Sequence, residues 1–260
     1  MYNLTTLKNQ LILLVLITSV INIHAFAQDS NTVLLYTFED ISNDMVTDLS
    51  DKGNDGLVVG AEWGVGKINK GLIFGGNAQG DFVEIPDNDT VDLAQGLTIE
   101  MWVYLNSDST AGGVGLTKSA TYKVGPRNNL KAELRMATST NAWGSANITS
   151  ETDLSLLKWI HIAATYDAAS GQARLYINGE VDSENNFSGD IIASDEAIWL
   201  GRGGTPFLDG RLDEVRVSNI ARSQQEIQQL MNHGIDAVLS VTPQDRLSTT
   251  WGKLKKNLSR

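Results

Sequence analysis

The chain contains no cysteine among its 260 residues, so it forms no disulfide bond. A lipid-modified N-terminus of the bacterial lipoprotein type is excluded as well, because that modification needs a cysteine at the cleavage site. If the protein is secreted, its fold must be stabilised by buried apolar side chains, with a bound metal ion as a further contributor to consider.

Basic residues are scarce: 20 lysines and arginines stand against 31 acidic residues, for a net charge of −11. Nucleic acids and anionic lipid surfaces attract basic patches, so this balance disfavours both as partners. The one basic stretch is residues 237–260, which we predict to be a flexible tail outside the domain. A short amphipathic helix that places Leu247, Trp251 and Leu254 together is the alternative for this tail.

No apolar run is long enough to span a bilayer, which takes roughly 20 residues. The run from Leu11 to Ile21 follows Lys8 and precedes Ala25-Phe26-Ala27, whose small residues have the spacing that signal peptidase accepts. We therefore expect residues 1–27 to be a cleaved signal peptide. The mature protein, with a net charge of −12 after loss of Lys8, is expected to be extracellular or periplasmic without a transmembrane anchor.

What the sequence does contain is short β-rich segments, about a dozen, recurring roughly every ten residues between Gly, Asn, Asp and Ser. This rhythm is typical of an all-β sandwich. Asn178-Gly179 within "LYINGEVD" predicts a type I′ hairpin turn. One helix is predicted in "SQQEIQQLMNHG", with Ser223 and Glu226 at capping-box spacing and Gly234 as its stop.

The ordered segments "LYTFED", "DKGNDG", "LIFGG", "GDFVEIPDNDTVDL", "LTIEMWVY", "WIHIAATYD", "ARLYINGEV", "IWLGRG" and "LDGRLDEVRVSNIARSQQEIQQL" resemble the bacterial laminin G-like, concanavalin A-like jelly roll domains. The resemblance covers nearly all of residues 33–231. It implies two packed antiparallel sheets with one short C-terminal helix, and we assign the domain to residues 28–236. In its closing strand, Leu212, Val215 and Val217 need not all face one way if a bulge intervenes, and the sequence leaves their orientation open.

The resemblance also implies calcium, bound by acidic side chains and carbonyls near the first and last strands. The alternative is that these acids form ion pairs, as Glu214 would with Arg216, or turns within "DKGNDG". If calcium binds, chelation should lower the melting temperature and Asp213→Asn should remove that sensitivity. The predicted calcium ligands are Glu39, Asp40, Asn54, Asp55 and Asp213.

Sugar binding uses aromatic faces together with amides and charged groups that reach hydroxyls. Trp143 and Tyr122 are predicted to lie in loops, among small polar residues, where no core pattern demands a large ring. Lone exposed aromatics are also common without a function, so packing is the alternative for both. Trp102 and Trp159, within strong strands, are predicted to pack. The predicted ligand-binding residues are Trp143, Tyr122, Asn141 and Arg202.

The sequence lacks the residue patterns that a catalytic site would need. Similar sandwiches house hydrolases with a Glu-x-Asp-x-x-Glu strand, and "DFVEI" and "LDEVR" do not have that spacing. Of the mature histidines, His161 lies in a strand and His233 beside a helix stop, so a triad or zinc site is incomplete. We predict a secreted, non-catalytic module that binds carbohydrate. A protein-binding or adhesion module of the cell surface is the alternative, and a hydrolase or lyase is less favoured.

Overall fold

The computed structural model describes residues 29–40, 44–108, 115–204 and 206–239, without the side chains of residues 77 and 236–239. The predicted signal peptide and the tail from residue 240 onward lie outside the described residues. Within the described residues, no helix combines the length and the apolar character needed to cross a membrane.

Two antiparallel eight-stranded sheets build the domain, as predicted for a jelly roll sandwich. Sheet A has the spatial order β14-β13-β12-β7-β16-β5-β4, and β1 pairs with β16 beside this path. The strands of sheet A are β1 (Thr32–Tyr36), β4 (Glu62–Val65), β5 (Lys70–Gly75), β7 (Gly96–Leu105), β12 (Trp159–Asp167), β13 (Gln172–Ile177), β14 (Glu180–Asn186) and β16 (Asp209–Ser218).

Sheet B has the order β11-β10-β9-β8-β15-β6-β3-β2. Its central strands come from distant parts of the chain, because β15 lies between β8 and β6. The strands of sheet B are β2 (Met45–Val46), β3 (Gly56–Val59), β6 (Phe82–Ile85), β8 (Leu116–Lys118), β9 (Tyr122–Arg127), β10 (Lys131–Met136), β11 (Ala146–Thr149) and β15 (Ile198–Leu200).

The core lies between the sheets and takes alternate residues from each strand, as the two-residue period requires. In β16 this alternation is interrupted: the register with β7 shifts between Asp213 and Arg216, and Glu214 has a φ of 51°. This bulge lets Leu212, Val215 and Val217 all reach the core, where each is fully buried. The bulge thus decides the orientation of these three side chains, which the sequence left open.

The predicted hairpin and helix ends are confirmed. Asn178 and Gly179 join β13 to β14 with φ values of 51° and 79°, both positive as a type I′ turn demands. Helix α1 (Gln224–Leu239) begins with a capping box, in which the Ser223 amide donates to the Glu226 carboxylate at 2.9 Å and the Glu226 amide donates to Ser223 Oγ at 3.3 Å. Gly234, with φ 76°, breaks it before a last helical segment.

Helix α1 packs on the outer face of sheet A. Its Ile227 forms a small apolar cluster with Ala163 of β12 and Tyr176 of β13. The same face carries a buried ion pair, because Arg216 Nε donates to Glu100 Oε1 at 2.7 Å and the two residues are 2% and 0% exposed. Arg216 therefore pairs with Glu100 of the neighbouring strand β7, and the helix covers charged residues that the strand pattern placed on a solvent-facing side.

Candidate functional site

The outer face of sheet B carries a continuous line of polar and aromatic side chains. Arg135 of β10 lies opposite both Asn147 and Lys123, and the line continues through the pairs Lys123–Thr117, Thr117–Trp199 and Trp199–Glu84. At a strand spacing of about 4.8 Å, six strands span about 24 Å. We call this line the polar row; it consists of Asn147, Arg135, Lys123, Thr117, Trp199 and Glu84.

One end of the polar row contains three cations around a single carboxylate. Glu133 lies 3.4 Å from Lys123 Nζ, 3.6 Å from Arg127 Nη1 and 3.2 Å from Arg135 Nη2, and its side chain is 1% exposed. Burial lowers the pKa of Lys123; the Glu133 carboxylate opposes this shift, and Arg135 and Arg127 add to it. We call Lys123, Arg127, Glu133 and Arg135 the cation cluster, and its formal charge is +2.

The other end of the polar row is aromatic. The guanidinium carbon of Arg202 lies 4.2 Å from the ring centroid of Trp199, 4.9 Å from that of Phe82 and 5.6 Å from that of Phe207. Arg202 Nε also donates to the carbonyl of Gly204 at 3.1 Å. A guanidinium among three rings is held by cation–π attraction, so this group offers flat apolar surface beside a fixed positive charge.

Four polar atoms of this face are buried without a hydrogen-bond partner in the described part of the chain: Thr117 Oγ1, Glu133 Oε1, Arg135 Nε and Trp199 Nε1. Thr117 and Glu133 are also nearly inaccessible, at 4% and 1% exposure. A buried polar group that lacks a partner costs about 1–3 kcal/mol. Glu133 Oε1 lies in the ion pair with Lys123 Nζ, whereas the other three atoms belong to the polar row and have no hydrogen-bond partner among the described residues.

The predicted ligand-binding residues fall in different environments. Trp143 lies in the loop between β10 and β11, is 36% exposed, and has the Arg135 guanidinium 5.9 Å from its ring centroid. Arg202 belongs to the aromatic end. Asn141 instead donates from Nδ2 to Thr138 Oγ1 at 2.9 Å and to the carbonyl of Ser188 at 2.9 Å, which fixes its own loop. Trp143 and Arg202 thus lie at opposite ends of the polar row.

The prediction that Tyr122 lies in a loop was wrong. Tyr122 opens strand β9, is fully buried and donates its hydroxyl to the carbonyl of Val91 at 2.9 Å. Its flanking Thr121 and Lys123 point away from the core, and that polar setting hid an inward position of the strand. The ring offers no face to a ligand.

A phenylalanine at position 122 tests this packing role. We expect Tyr122→Phe to lower the free energy of unfolding by about 1 kcal/mol, because the hydrogen bond to Val91 is lost while the ring stays in place. Tyr104→Phe is the matched control, since the Tyr104 hydroxyl makes no hydrogen bond to another described residue, and it should change stability by less than about 0.5 kcal/mol. Urea unfolding measures both; equal effects would contradict the assignment.

The predicted calcium ligands do not come together as one group. Asn54 is buried; its Nδ2 donates to the carbonyl of Val33 at 2.6 Å and to Thr90 Oγ1 at 2.9 Å. Asp55 accepts from the amide of Asp48 at 2.7 Å. These contacts organise the turn before β3, as the alternative interpretation of "DKGNDG" holds.

Asp213 and Glu39 lie elsewhere, at the β4–β5 turn. Asp213 Oδ2 accepts from the Ile68 amide at 2.9 Å, and Glu39 Oε1 accepts from the Lys70 amide at 3.3 Å. Asp40 is exposed. Among the described residues no three Asp, Glu or His side chains form a group that could hold a metal ion. The residues as placed do not fit a calcium shell, and calcium stays a prediction of the sequence.

Comparison with known proteins places this geometry in a family. The family model described as the concanavalin A-like lectin/glucanases superfamily, laminin G type 3, matches residues 75–228, more than half of the chain. The chain belongs to this superfamily. Among curated proteins, none matches the chain in sequence.

Solved structures share the fold of this superfamily member at low identity. The binding domain of Paraclostridial Mosquitocidal Protein 1 is 18% identical with a TM-score of 0.63, and the match covers 78% of this chain and 52% of that one. Domain 4 of AbnA, a GH43 extracellular arabinanase from Geobacillus stearothermophilus in complex with arabinotriose, is 17% identical with a TM-score of 0.61, covering 78% and 98%.

The binding domain of botulinum neurotoxin DC in complex with rat synaptotagmin II is 13% identical with a TM-score of 0.61, and the match covers 79% of this chain and 52% of that one. This superfamily member thus spans about half the length of the mosquitocidal and neurotoxin chains. The matched 78% of its own length covers nearly the whole arabinanase domain. At these identities the likeness shows a shared fold.

Lys123, Glu133 and Trp199 were not among the site residues predicted from the sequence. A local signal was present, because "TYKVGPR" and "KAELRM" alternate apolar residues with charged ones, as strands with one polar face do. The assembly of these residues with Trp199 was not visible in the sequence, since it depends on the pairing of β8 with β15.

Proposed function

We propose that this protein is a secreted, non-catalytic module that binds carbohydrate along the polar row. The observation that carries the proposal is the row itself, in which Thr117 Oγ1 and Arg135 Nε, buried without hydrogen-bond partners in the described part of the chain, lie along the same line as the ring of Trp199. Sugars present an apolar ring face and many hydroxyls, and this pairing of a ring with unused polar atoms suits both. The arabinotriose complex of the arabinanase domain supports the choice of ligand class.

The spacing of the carboxylates supports binding without hydrolysis. Glycosidases place two carboxyl groups within about 5–9.5 Å of each other. Glu133 and Glu84 belong to β10 and β6, which are four strand spacings apart in sheet B, or about 19 Å. Glu133 is also ion-paired with the three cations of its cluster. Glu133 and Glu84 therefore do not form a catalytic pair.

Trp199→Ala tests the proposal. Loss of the stacking surface is expected to weaken glycan binding about tenfold or more, equivalent to ~1.4 kcal/mol. The full chain is screened on a glycan array that includes arabinotriose, and the affinity for the bound glycans is then measured by calorimetry. Trp159→Ala is the matched control, because Trp159 packs against Tyr104 on the other sheet and its loss should leave glycan affinity unchanged.

The same titrations in calcium and in chelator test the metal prediction. We expect equal affinities, because the polar row contains no group of oxygens suited to calcium. An array without any bound glycan, from protein shown to be folded, would reject the carbohydrate proposal. Release of shortened saccharides would instead favour the hydrolase alternative.

A second candidate is a protein-binding or adhesion module. Leu57 and Val59 of β3 are 46% and 37% exposed and lie opposite Glu84 and Phe82 at the aromatic end of the face. Exposed apolar side chains rimmed by polar groups are typical of protein contacts. The neurotoxin binding domain, about half of which matches this chain, is in complex with synaptotagmin, which supports protein recognition as the second candidate. If glycan binding survives Leu57→Ser, the exposed apolar side chains of β3 are not needed for it. The protein-binding candidate is then separate from the carbohydrate-binding one.

A further inference from the structure

The cation cluster gives the binding face a charge opposite to that of the protein. The chain as a whole carries −11, whereas the cluster contains Lys123, Arg127 and Arg135 around Glu133 alone. An anionic ligand is repelled by the molecule at long range and attracted only where cations concentrate. Recognition of an anion by this protein therefore depends on a local group of this kind.

Arg135 is the member of the cluster best placed to contact a ligand. Its side chain is 31% exposed, so part of the guanidinium faces solvent. Its Nη2 donates to Glu133 Oε2 at 3.2 Å, while its Nε is buried without a partner among the described residues. The Trp143 ring lies 5.9 Å from its guanidinium carbon, so a sugar ring over Trp143 would place its substituents near this donor.

The chemistry of a guanidinium selects the complementary group. Arginine presents paired N–H donors that match a planar carboxylate, and charge-assisted hydrogen bonds are roughly twice as strong as neutral ones. Neutral hydroxyls gain less from an arginine and do not offset an excess of positive charge. Burial is the main cause of the lowered pKa of Lys123, and the charges of both arginines add to it.

We propose that the polar row binds acidic saccharides. The carboxylate of one sugar lies at Arg135 and the rest of the cation cluster, and a neighbouring sugar ring of the same ligand lies along the row toward Trp199. This inference rests on the proposed function and narrows its ligand class. The distance from Arg135 to Trp199 is three strand spacings, about 14 Å, so the ligand is an oligosaccharide and not a single acidic sugar.

The test uses matched pairs of ligands that differ only in charge. The full chain is titrated with oligogalacturonate and its methyl ester, and with sialylated and uronate-containing oligosaccharides and their methyl esters, at fixed ionic strength. At least one free acid is expected to bind at least tenfold more tightly than its ester. A sulfated oligosaccharide is included, since binding to it at equal strength would show that charge alone is recognised and would overturn the role given to the carboxylate.

Variants of the cation cluster test whether it causes the preference for the free acid over the ester. Arg135→Gln is expected to abolish the acid-over-ester preference while the melting temperature stays within a few degrees of the parent. Arg174→Gln is the matched control: Arg174 forms an exposed ion pair with Glu184 on sheet A and its loss should preserve the preference. Should Arg135→Gln fail to fold, Arg127→Gln serves the same purpose, since Arg127 is equally exposed in the cluster.

The outcomes separate this inference from the proposed function. Equal binding of acids and esters would overturn the acidic-ligand assignment and leave a carbohydrate-binding module. A preference that persists in both arginine variants would place the acid elsewhere on the protein and would also overturn it. Absence of binding to every saccharide would reject the proposed function and this inference together.

Discussion

Replacing Arg216 by methionine is expected to lower the free energy of unfolding by about 3–5 kcal/mol, the range for breaking a buried ion pair by removal of one partner. Arg216 donates to Glu100 from Nε at 2.7 Å and also contacts it through Nη2. Glu100 has no exposure to solvent, so in the variant its charge would lack water and would keep only His161 Nε2, 3.4 Å from Glu100 Oε2, as a partner.

The pH dependence of this loss identifies its cause. Burial raises the pKa of Glu100, but Arg216 and His161 outweigh burial and hold that pKa below its usual value. A depressed folded-state pKa contributes stability above the unfolded pKa, and this is lost as the pH falls through the folded value. In Arg216→Met the carboxyl can take up a proton, so the deficit should be largest at pH 7–8 and shrink toward pH 5.

Two further variants keep this prediction testable. The double variant Glu100→Leu/Arg216→Met should regain most of the lost stability, because replacing both partners of a buried pair by apolar residues is often neutral or stabilising. Arg174→Met removes an exposed pair, at 37% and 58% side-chain exposure, and should cost less than about 1 kcal/mol. Denaturant unfolding at pH 5 and pH 8 compares all three; a loss in Arg216→Met no greater than that in Arg174→Met would contradict the prediction.

The burial of Glu100 also shows where strand patterns stop being informative. In "LTIEMWVYL" the alternation correctly assigns Ile99, Met101 and Val103 to the core. The same alternation places Glu100 and Trp102 on the opposite face, and a two-layer sandwich leaves that face to solvent. Helix α1, more than 120 residues later in the chain, covers this part of sheet A, and short-range periodicity carries no signal of that contact.

The candidate site, like the fold, could be predicted from the sequence only where its signals are local. Strand signals and turn residues are local, so the sandwich, the Asn178-Gly179 turn and the helix ends could be inferred from the sequence. The polar row is a property of strand register across six strands, and Trp199 meets Thr117 only because β15 inserts between β8 and β6. Trp143 and Arg202 stood out as unusual residues, but the cations between them did not, since single lysines and arginines on strands are ordinary.

Because of Asp213, the free energy of unfolding should fall by about 2–3 kcal/mol between pH 5 and pH 7. The carboxyl is fully buried beneath the β4–β5 turn, and burial raises its pKa to about 7. Amides of Ile68 and Glu214, which donate to it at 2.9 Å and 2.8 Å, oppose that shift, and the charge of Glu39 adds to it.

The direction of the effect follows from proton binding. The folded-state pKa lies above the unfolded value of about 3.9, so between these values the folded protein holds more protons than the unfolded chain. The contribution of Asp213 is therefore fully present below about pH 4 and lost as the pH rises through 7. Each pH unit well inside this window corresponds to about 1.36 kcal/mol, and the dependence weakens near the folded-state pKa, which gives about 2.3 kcal/mol between pH 5 and pH 7.

The window from pH 5 to pH 8 separates Asp213 from the acids whose pKa is lowered, among them Glu100, Glu226 and Asp182. Their contributions to stability change below about pH 4.5, the upper end of their unfolded pKa values. Asp182→Asn is therefore a suitable control, and its stability should fall with pH as in the parent. Chemical unfolding at pH 5, 6, 7 and 8 gives the slope for each protein.

Asp213→Asn should flatten that slope, because an amide does not titrate. The amide has one acceptor oxygen for the two backbone donors that the carboxylate receives, so the variant is expected to be less stable than the parent at pH 5. The slope is therefore the quantity to compare, since it is unaffected by a constant loss. If the variant keeps the slope of the parent, Asp213 is not the titrating group and the prediction is wrong.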